Sequence, residues 1–135
     1  MIAALHKNKR AGLFSLYFDY YQNMEINDAV TALAALAQET RLAAYRLLVQ
    51  AGPGGLAAGR IADALGTAPA TLSFHLKELS HAGLISSRSD SRYVIYRADY
   101  AQMNGLMAYL TEHCCQGAPC AVETVCCPAP PEQAT

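Results

Sequence analysis

Residues 57–83 constrain the fold of this chain more than any other segment. Apolar residues recur at helical spacing over 57–65 and stop at Gly66, which predicts a short helix followed by a tight turn. A second helix is predicted from Thr67, as its N-terminal cap, to Gly83. Its buried side is marked by leucines spaced four and three residues apart: Leu72, Leu76 and Leu79. Two short helices joined by a tight turn, the second polar on its outer side, are typical of a helix-turn-helix.

The neighbouring segments add a wing and two preceding helices to this motif. Strands are predicted over 84–88 and 93–97, joined by a turn at residues 89–91, and this hairpin is the wing. One preceding helix is predicted to be capped by Asn27 and the next by Thr40. The first of them is expected to bury an apolar stripe: Val30, Leu33, Ala34, Leu36 and Ala37.

A last helix leads into a thiol-rich end of the chain. It is predicted to begin after Asp99, its cap, and to reach the cysteines near position 114. The fold class is therefore mainly α with a β-hairpin wing, a winged helix-turn-helix. We divide the chain into an N-terminal extension over 1–26, helical or disordered, a folded domain over 27–113 and a cysteine-rich tail over 114–135.

The bulk composition predicts a single packed domain without a membrane span. The chain has 135 residues, of which 53% are hydrophobic and 16% charged, which favours a folded core over disorder. No apolar run reaches the roughly 20 residues that cross a bilayer, and the first residues do not resemble a signal peptide. We therefore expect a cytoplasmic protein with reduced thiols, which more often bind metals or act in redox chemistry than form disulfides.

The charge distribution favours a nucleic-acid surface in the middle of the chain. The formal net charge is −1, yet residues 40–98 hold seven basic and three acidic side chains, a net charge of +4. Residues 1–39 carry −1 and residues 99–135 carry −4. A basic centre between acidic ends suits one DNA-facing surface, with ordinary charge scatter as the alternative.

Seven side chains of the second motif helix and the wing are candidate DNA contacts: Thr71, Ser73, Phe74, His75, Lys77, Arg88 and Arg92. His75 has an equally good alternative as a hydrogen-bonding group inside the domain. For the two arginines the alternative is a solvated charge on the wing.

Three stretches resemble the ArsR/SmtB family of metal-sensing repressors. They are "LAQETRLAAYRLL" at 36–48, "TLSFHLKELSHAGLI" at 71–85 and "RYVIYRA" at 92–98. The resemblance covers roughly residues 27–113. It implies a homodimeric repressor whose first and last helices form the dimer. Such a repressor binds double-stranded operator DNA, and metal binding releases it from that DNA. On this basis 27–113 is expected to be the DNA-binding and dimerisation domain.

The metal ligands depart from two of the sites used in that family. A cysteine cluster at the start of the first motif helix is replaced here by residues 57–62, which include no ligand. A zinc site of Asp and His on the last helix is incomplete, because Ala101 stands two positions after Asp99. The stretch "YLTEHCCQGAPC" at 109–120 is instead similar to the arsenic-responsive branch, whose thiols lie at the end of the last helix.

Every cysteine of the chain lies in its last 22 residues: Cys114, Cys115, Cys120, Cys126 and Cys127. The first three can supply the three thiolates that trivalent arsenic or antimony favours, with the other two as auxiliary ligands. Neighbours on a helix point about 100° apart, so the helix must end or fray for Cys114 and Cys115 to reach one ion.

The expected function is a repressor released by trivalent arsenic or antimony. The alternatives are a sensor of another soft metal such as zinc, cadmium or lead, with His113 or Cys126 as a fourth ligand, and a thiol redox sensor. A regulator with an incidental tail also remains open. An enzyme is disfavoured, since no Cys-x-x-Cys precedes a helix in a βαβ context.

Overall fold

The computed structural model describes residues 24–117 and confirms the predicted fold class. It is mainly helical, with a small antiparallel sheet whose hairpin forms the wing. In chain order the elements are α1 (Ile26–Leu36), α2 (Glu39–Ala51), β1 (Leu56–Ala57), α3 (Ala58–Leu65), α4 (Pro69–His81), β2 (Ile85–Asp90), β3 (Tyr93–Ala98), α5 (Tyr100–Leu110) and a 3-10 helix (Cys114–Gly117). The helix-turn-helix consists of α3 and α4, joined at Gly66, whose backbone is left-handed with φ 60°.

All five α-helices and both wing strands contribute to one hydrophobic core. The three leucines of α4 are at most 1% exposed, as the sequence predicts. Burying a leucine side chain stabilises the fold by roughly 1.5–3 kcal/mol. This burial determines which side of α4 faces the core and leaves the opposite side in solvent. The largest fully buried side chains are Leu48, Ile61, Leu72, Leu76, Leu79, Leu84 and Leu106.

Helix α1 buries a different side from the one predicted. The predicted stripe is wrong for Val30 and Leu33, which are 57% and 42% exposed, and for Ala34 and Ala37, which are also exposed. Of the predicted residues, Leu36 does pack against the core. The core contacts of α1 come instead from small side chains spaced three apart: Ala29, Ala32 and Ala35. Because alanines occupy little space, this side lets α1 pack closely against α2 and α4.

Three of the four predicted helix caps are also wrong: Asn27, Thr40 and Thr67. The N-caps are instead Glu25, Gln38 and Ala68. The side chain of Gln38 accepts a hydrogen bond from the Arg41 amide at 2.8 Å, because the chain is extended at Gln38 and becomes helical after it. The cap at Asp99 is confirmed, with its carboxylate accepting from the Gln102 amide at 3.0 Å.

The wing belongs to a three-stranded sheet rather than to a hairpin alone. Its order is β1-β3-β2, and β1 pairs Leu56 with Tyr96. The sequence did not indicate β1, which has only two residues. Strand β2 extends two residues further toward the tip than predicted, to Asp90, whereas β3 begins at Tyr93 as predicted, so the turn lies at Ser91 and Arg92, with Ser91 at φ 54°.

Candidate nucleic-acid interface and thiol segment

The solvent-facing side of α4 carries the residues that the sequence predicts for DNA contact. We call Thr71, Ser73, Phe74 and Lys77 the α4 outer face; all of them are exposed. The leucines on the other side of α4 hold the helix against α2, α3 and β2. The α4 outer face thus presents two hydroxyls, one ammonium group and one phenyl ring on a firmly packed helix.

His75 lies at the edge of this face and is half-buried. Its ring packs edge-on against the Phe74 ring, with centroids 5.6 Å apart and an interplanar angle of 64°. Its Nδ1 atom is buried and has no hydrogen-bond partner within residues 24–117. The sequence left open whether His75 forms a hydrogen bond inside the domain; its Nδ1 atom forms none with residues 24–117.

The wing arginines differ in what holds them. Arg88 is exposed, yet its Nη2 atom donates a hydrogen bond to the Gly54 carbonyl oxygen at 3.2 Å. Arg92 is exposed at the turn. Arg97 was not among the predicted contacts, and its Nε atom donates to the Ser86 hydroxyl at 3.1 Å across the hairpin. Its position on the solvent side of the strand could have been predicted from its apolar neighbour Ala98, which is buried, because neighbouring residues of a strand face opposite sides.

Helix α5 ends before the cysteines instead of reaching them. It stops at Leu110, and the Thr111 hydroxyl donates to the Met107 carbonyl at 2.8 Å. His113 then has φ 55°, which breaks the helical path. Cys114 is exposed and begins the 3-10 helix that also includes Cys115.

The remaining predicted thiol ligands lie outside the described residues: Cys120, Cys126 and Cys127. Within residues 24–117 no group of three or more His, Cys, Asp or Glu side chains is placed to hold a metal ion. The alternative ligand His113 is 87% exposed, and its Nε2 atom lies 3.6 Å from an oxygen of Glu112. The predicted thiol site therefore stays a prediction.

The start of α5 is hydrogen-bonded to the α4–β2 junction and to α2. The Asp99 amide donates to the Leu84 carbonyl at 2.8 Å, at the junction between α4 and β2. The Tyr100 hydroxyl donates to the Val49 carbonyl at 3.0 Å, near the end of α2. These two bonds connect the start of α5 to the segment that follows α4 and to the last part of α2.

None of the helices between residues 24 and 117 is long and apolar enough to cross a membrane.

Comparison with known proteins places the chain among transcriptional regulators. The family model "Helix-turn-helix domain" matches residues 36–88. The uncharacterized HTH-type transcriptional regulator YceK of Bacillus subtilis (strain 168) is 34% identical over 91 residues, covering 64% of this chain and 90% of the relative.

Solved structures agree with this assignment. An ArsR-like transcriptional regulator from Rhodococcus sp. RHA1 is 28% identical, with a TM-score of 0.56, over 62% of this chain and 76% of that one. HlyU from Vibrio cholerae is 30% identical, with a TM-score of 0.52, over 64% and 97%. The homodimeric winged helix-turn-helix DNA-binding domain Mb0332 of Mycobacterium bovis, a possible ArsR-family regulator, is 28% identical, with a TM-score of 0.52, over 65% and 82%. This chain belongs to the helix-turn-helix transcriptional regulators of the ArsR type.

Proposed function

We propose that this protein is a repressor that binds double-stranded operator DNA as a homodimer and is released by trivalent arsenic or antimony. The observation that carries the DNA-binding part is the α4 outer face, which is exposed on a helix whose opposite side is buried. A helix of this kind in a helix-turn-helix enters the major groove. In this proposal Arg88 and Arg92 contact the neighbouring backbone or minor groove from the wing.

The exposed apolar side chains of α1 and α5 support the homodimer. Five large ones lie between 42% and 62% exposed: Ile26, Val30, Leu33, Met107 and Leu110. The two helices contact each other, so these side chains lie on neighbouring elements. Exposed apolar surface of this kind favours association with a matching surface, and a similar Mycobacterium bovis protein is homodimeric. The dimer then presents two copies of α4 to two half-sites.

The donor set supports a soft effector. Cys114, Cys115 and Cys120 offer thiolates, and soft thiolates prefer soft ions to hard ones. Cys114 and Cys115 lie in the 3-10 helix after α5, where neighbours point about 120° apart, so this short helix would have to unwind for both thiolates to bind one ion. Bound arsenic or antimony would supply three bonds to sulfur and so draw this segment together.

The coupling between effector and DNA runs through α5 in this proposal. Effector binding to the thiols after Leu110 would change how α5 packs, and the start of α5 is hydrogen-bonded to α2 and to the α4–β2 junction. A coupling free energy on the order of 1–3 kcal/mol would lower operator affinity about 5- to 150-fold.

A release assay tests the proposal. The full-length protein first selects its operator from a random DNA library, and binding is followed by fluorescence anisotropy with arsenite, antimonite, zinc, cadmium, lead or peroxide added. We expect arsenite or antimonite to release the wild-type protein. Serine replacement of Cys114, Cys115 or Cys120 should preserve DNA binding and abolish release. The matched control, Cys126→Ser with Cys127→Ser, should still respond.

The ligand type is read from X-ray absorption on the arsenite-loaded protein. Three sulfur neighbours and no nitrogen or oxygen at bonding distance are expected. His113→Ala should leave release nearly unchanged.

An unresponsive Cys126/Cys127 double variant would refute this choice of thiols. Release by zinc with mixed nitrogen and sulfur ligands would favour a zinc-type sensor, and release by peroxide alone would favour a redox sensor.

A further inference from the structure

Phe74 exposes a large apolar side chain on the α4 outer face. It is 57% exposed, whereas the three leucines of α4 are at most 1% exposed. Leaving a phenyl ring in water gives up the stabilisation that its burial would provide. The position therefore favours an occupant that covers the ring when the protein performs its function.

The ring points directly away from the core. Phe74 is two positions after Leu72, a rotation of about 200° at 100° per residue. It is two positions before Leu76, so it stands on the opposite side of α4 from both buried leucines. A side chain at this place is the first to meet anything that approaches α4 from solvent.

The surroundings of the ring match a duplex better than a protein surface. Ser73 and Lys77 are exposed beside it, and they offer a hydroxyl for base edges and a charge for phosphate. The segment 40–98 carries a net charge of +4. The edge-on contact with His75 also restricts the orientation of the ring.

We propose that Phe74 reads the 5-methyl group of a thymine in the major groove. That methyl is the one apolar feature that a base pair presents there, and phenylalanine is one of the side chains that contact it. The inference rests on the proposed DNA binding and adds a base identity to it. Each half-site should contain at least one thymine whose methyl group is covered by Phe74.

Removing single methyl groups from the selected operator tests the contact. Each thymine is replaced in turn by deoxyuridine, which keeps the base pair and lacks only the methyl. We expect one position in a half-site to lose about fourfold in wild-type affinity, the effect of one buried methyl. In Phe74→Ala that position should no longer distinguish thymine from deoxyuridine.

Two controls separate this contact from general DNA binding. Lys77→Ala should bind more weakly and with a smaller salt dependence, but should still distinguish the two bases. Thermal unfolding should show that Phe74→Ala folds, as expected for an exposed position. A methyl effect absent from the wild type, or equal in Phe74→Ala, overturns the inference and leaves the repressor proposal standing. Failure to select any DNA overturns both.

Discussion

At the scale of single residues, Tyr45 carries a hydroxyl for which the core offers no partner. The side chain is 4% exposed, and its oxygen has no hydrogen bond within residues 24–117. Burial, with smaller contributions from Tyr100 and Asp99, raises the pKa of Tyr45 to about 12 from the ordinary 10.0. Burial of the ring stabilises the fold, whereas burial of the hydroxyl without a hydrogen bond costs desolvation free energy.

We predict that Tyr45→Phe keeps or increases the free energy of unfolding at neutral pH, by up to about 2 kcal/mol. The variant keeps the ring and removes a buried polar atom that has no hydrogen-bond partner among residues 24–117. Urea unfolding followed by circular dichroism measures the change. A loss above about 1 kcal/mol would contradict this account of the hydroxyl.

The same substitution should change the response to alkaline pH. The unfolded chain releases this proton near pH 10, while the folded protein holds it until about 12. Below pH 10 this group therefore does not change the free energy of unfolding with pH. As the pH rises from 10 toward 12, ionisation in the unfolded chain lowers the free energy of unfolding, by on the order of 1 kcal/mol at pH 11. Tyr45→Phe should lack this part of the decline, with all other titrating groups unchanged. Parallel stability curves for the two proteins between pH 9 and 11 would contradict it.

At the scale of elements, two glycines close together in sequence have opposite roles. Gly55 precedes β1, has φ +70°, and a Cβ there would collide with the Tyr96 carbonyl oxygen and lie 3.1 Å from Ile95 Cγ2. Gly59 lies in α3, and a Cβ there would meet no atom of the described part of the chain within 4 Å. The first glycine lets the chain cross β3 closely enough to pair, while the second only adds freedom to the unfolded chain.

We predict that Gly55→Ala destabilises the protein by about 1–3 kcal/mol and disturbs the wing. Gly59→Ala should instead stabilise it by about 0.4–1 kcal/mol, because the unfolded chain loses freedom and no contact is strained. Thermal unfolding of both variants gives the comparison. Similar midpoints for the two would show that the approach of Gly55 to β3 does not matter.

The elements also differ in how far the sequence predicted them. The buried side of α4 was predictable, because its three leucines recur at spacings of four and three residues, which places them on one side of a helix. Helix α1 has apolar residues on two sides, so periodicity alone favoured the larger Val30 and Leu33 over the alanines. Strand β1 has no local signal, since two residues become a strand only through their pairing with β3.

At the scale of the whole molecule, the exposed side of α1 should be the surface through which two copies associate. We predict that Val30→Glu gives a monomer with at least tenfold weaker operator binding, because a buried charge opposes association and a monomer contacts one half-site. The matched control is Val94→Glu on the wing, where the valine is 43% exposed against 57% for Val30. Sedimentation velocity should show a dimer for the wild type and Val94→Glu only. A dimeric Val30→Glu would remove α1 from the interface.

The sequence by itself determined the order of the helices and wing strands, which residues of α4 face solvent and the concentration of thiols in the last 22 residues. These features depend on periodicity, on turn residues and on composition, all of which act over a few neighbouring positions. Only the tertiary structure decided which side of α1 is buried, that Arg88 is held by the Gly54 carbonyl, and that the start of α5 is hydrogen-bonded to α2 and to the α4–β2 junction. Those outcomes depend on contacts between residues far apart in the chain, which no local pattern specifies, because the free energy of burial is shared among elements that meet only after folding.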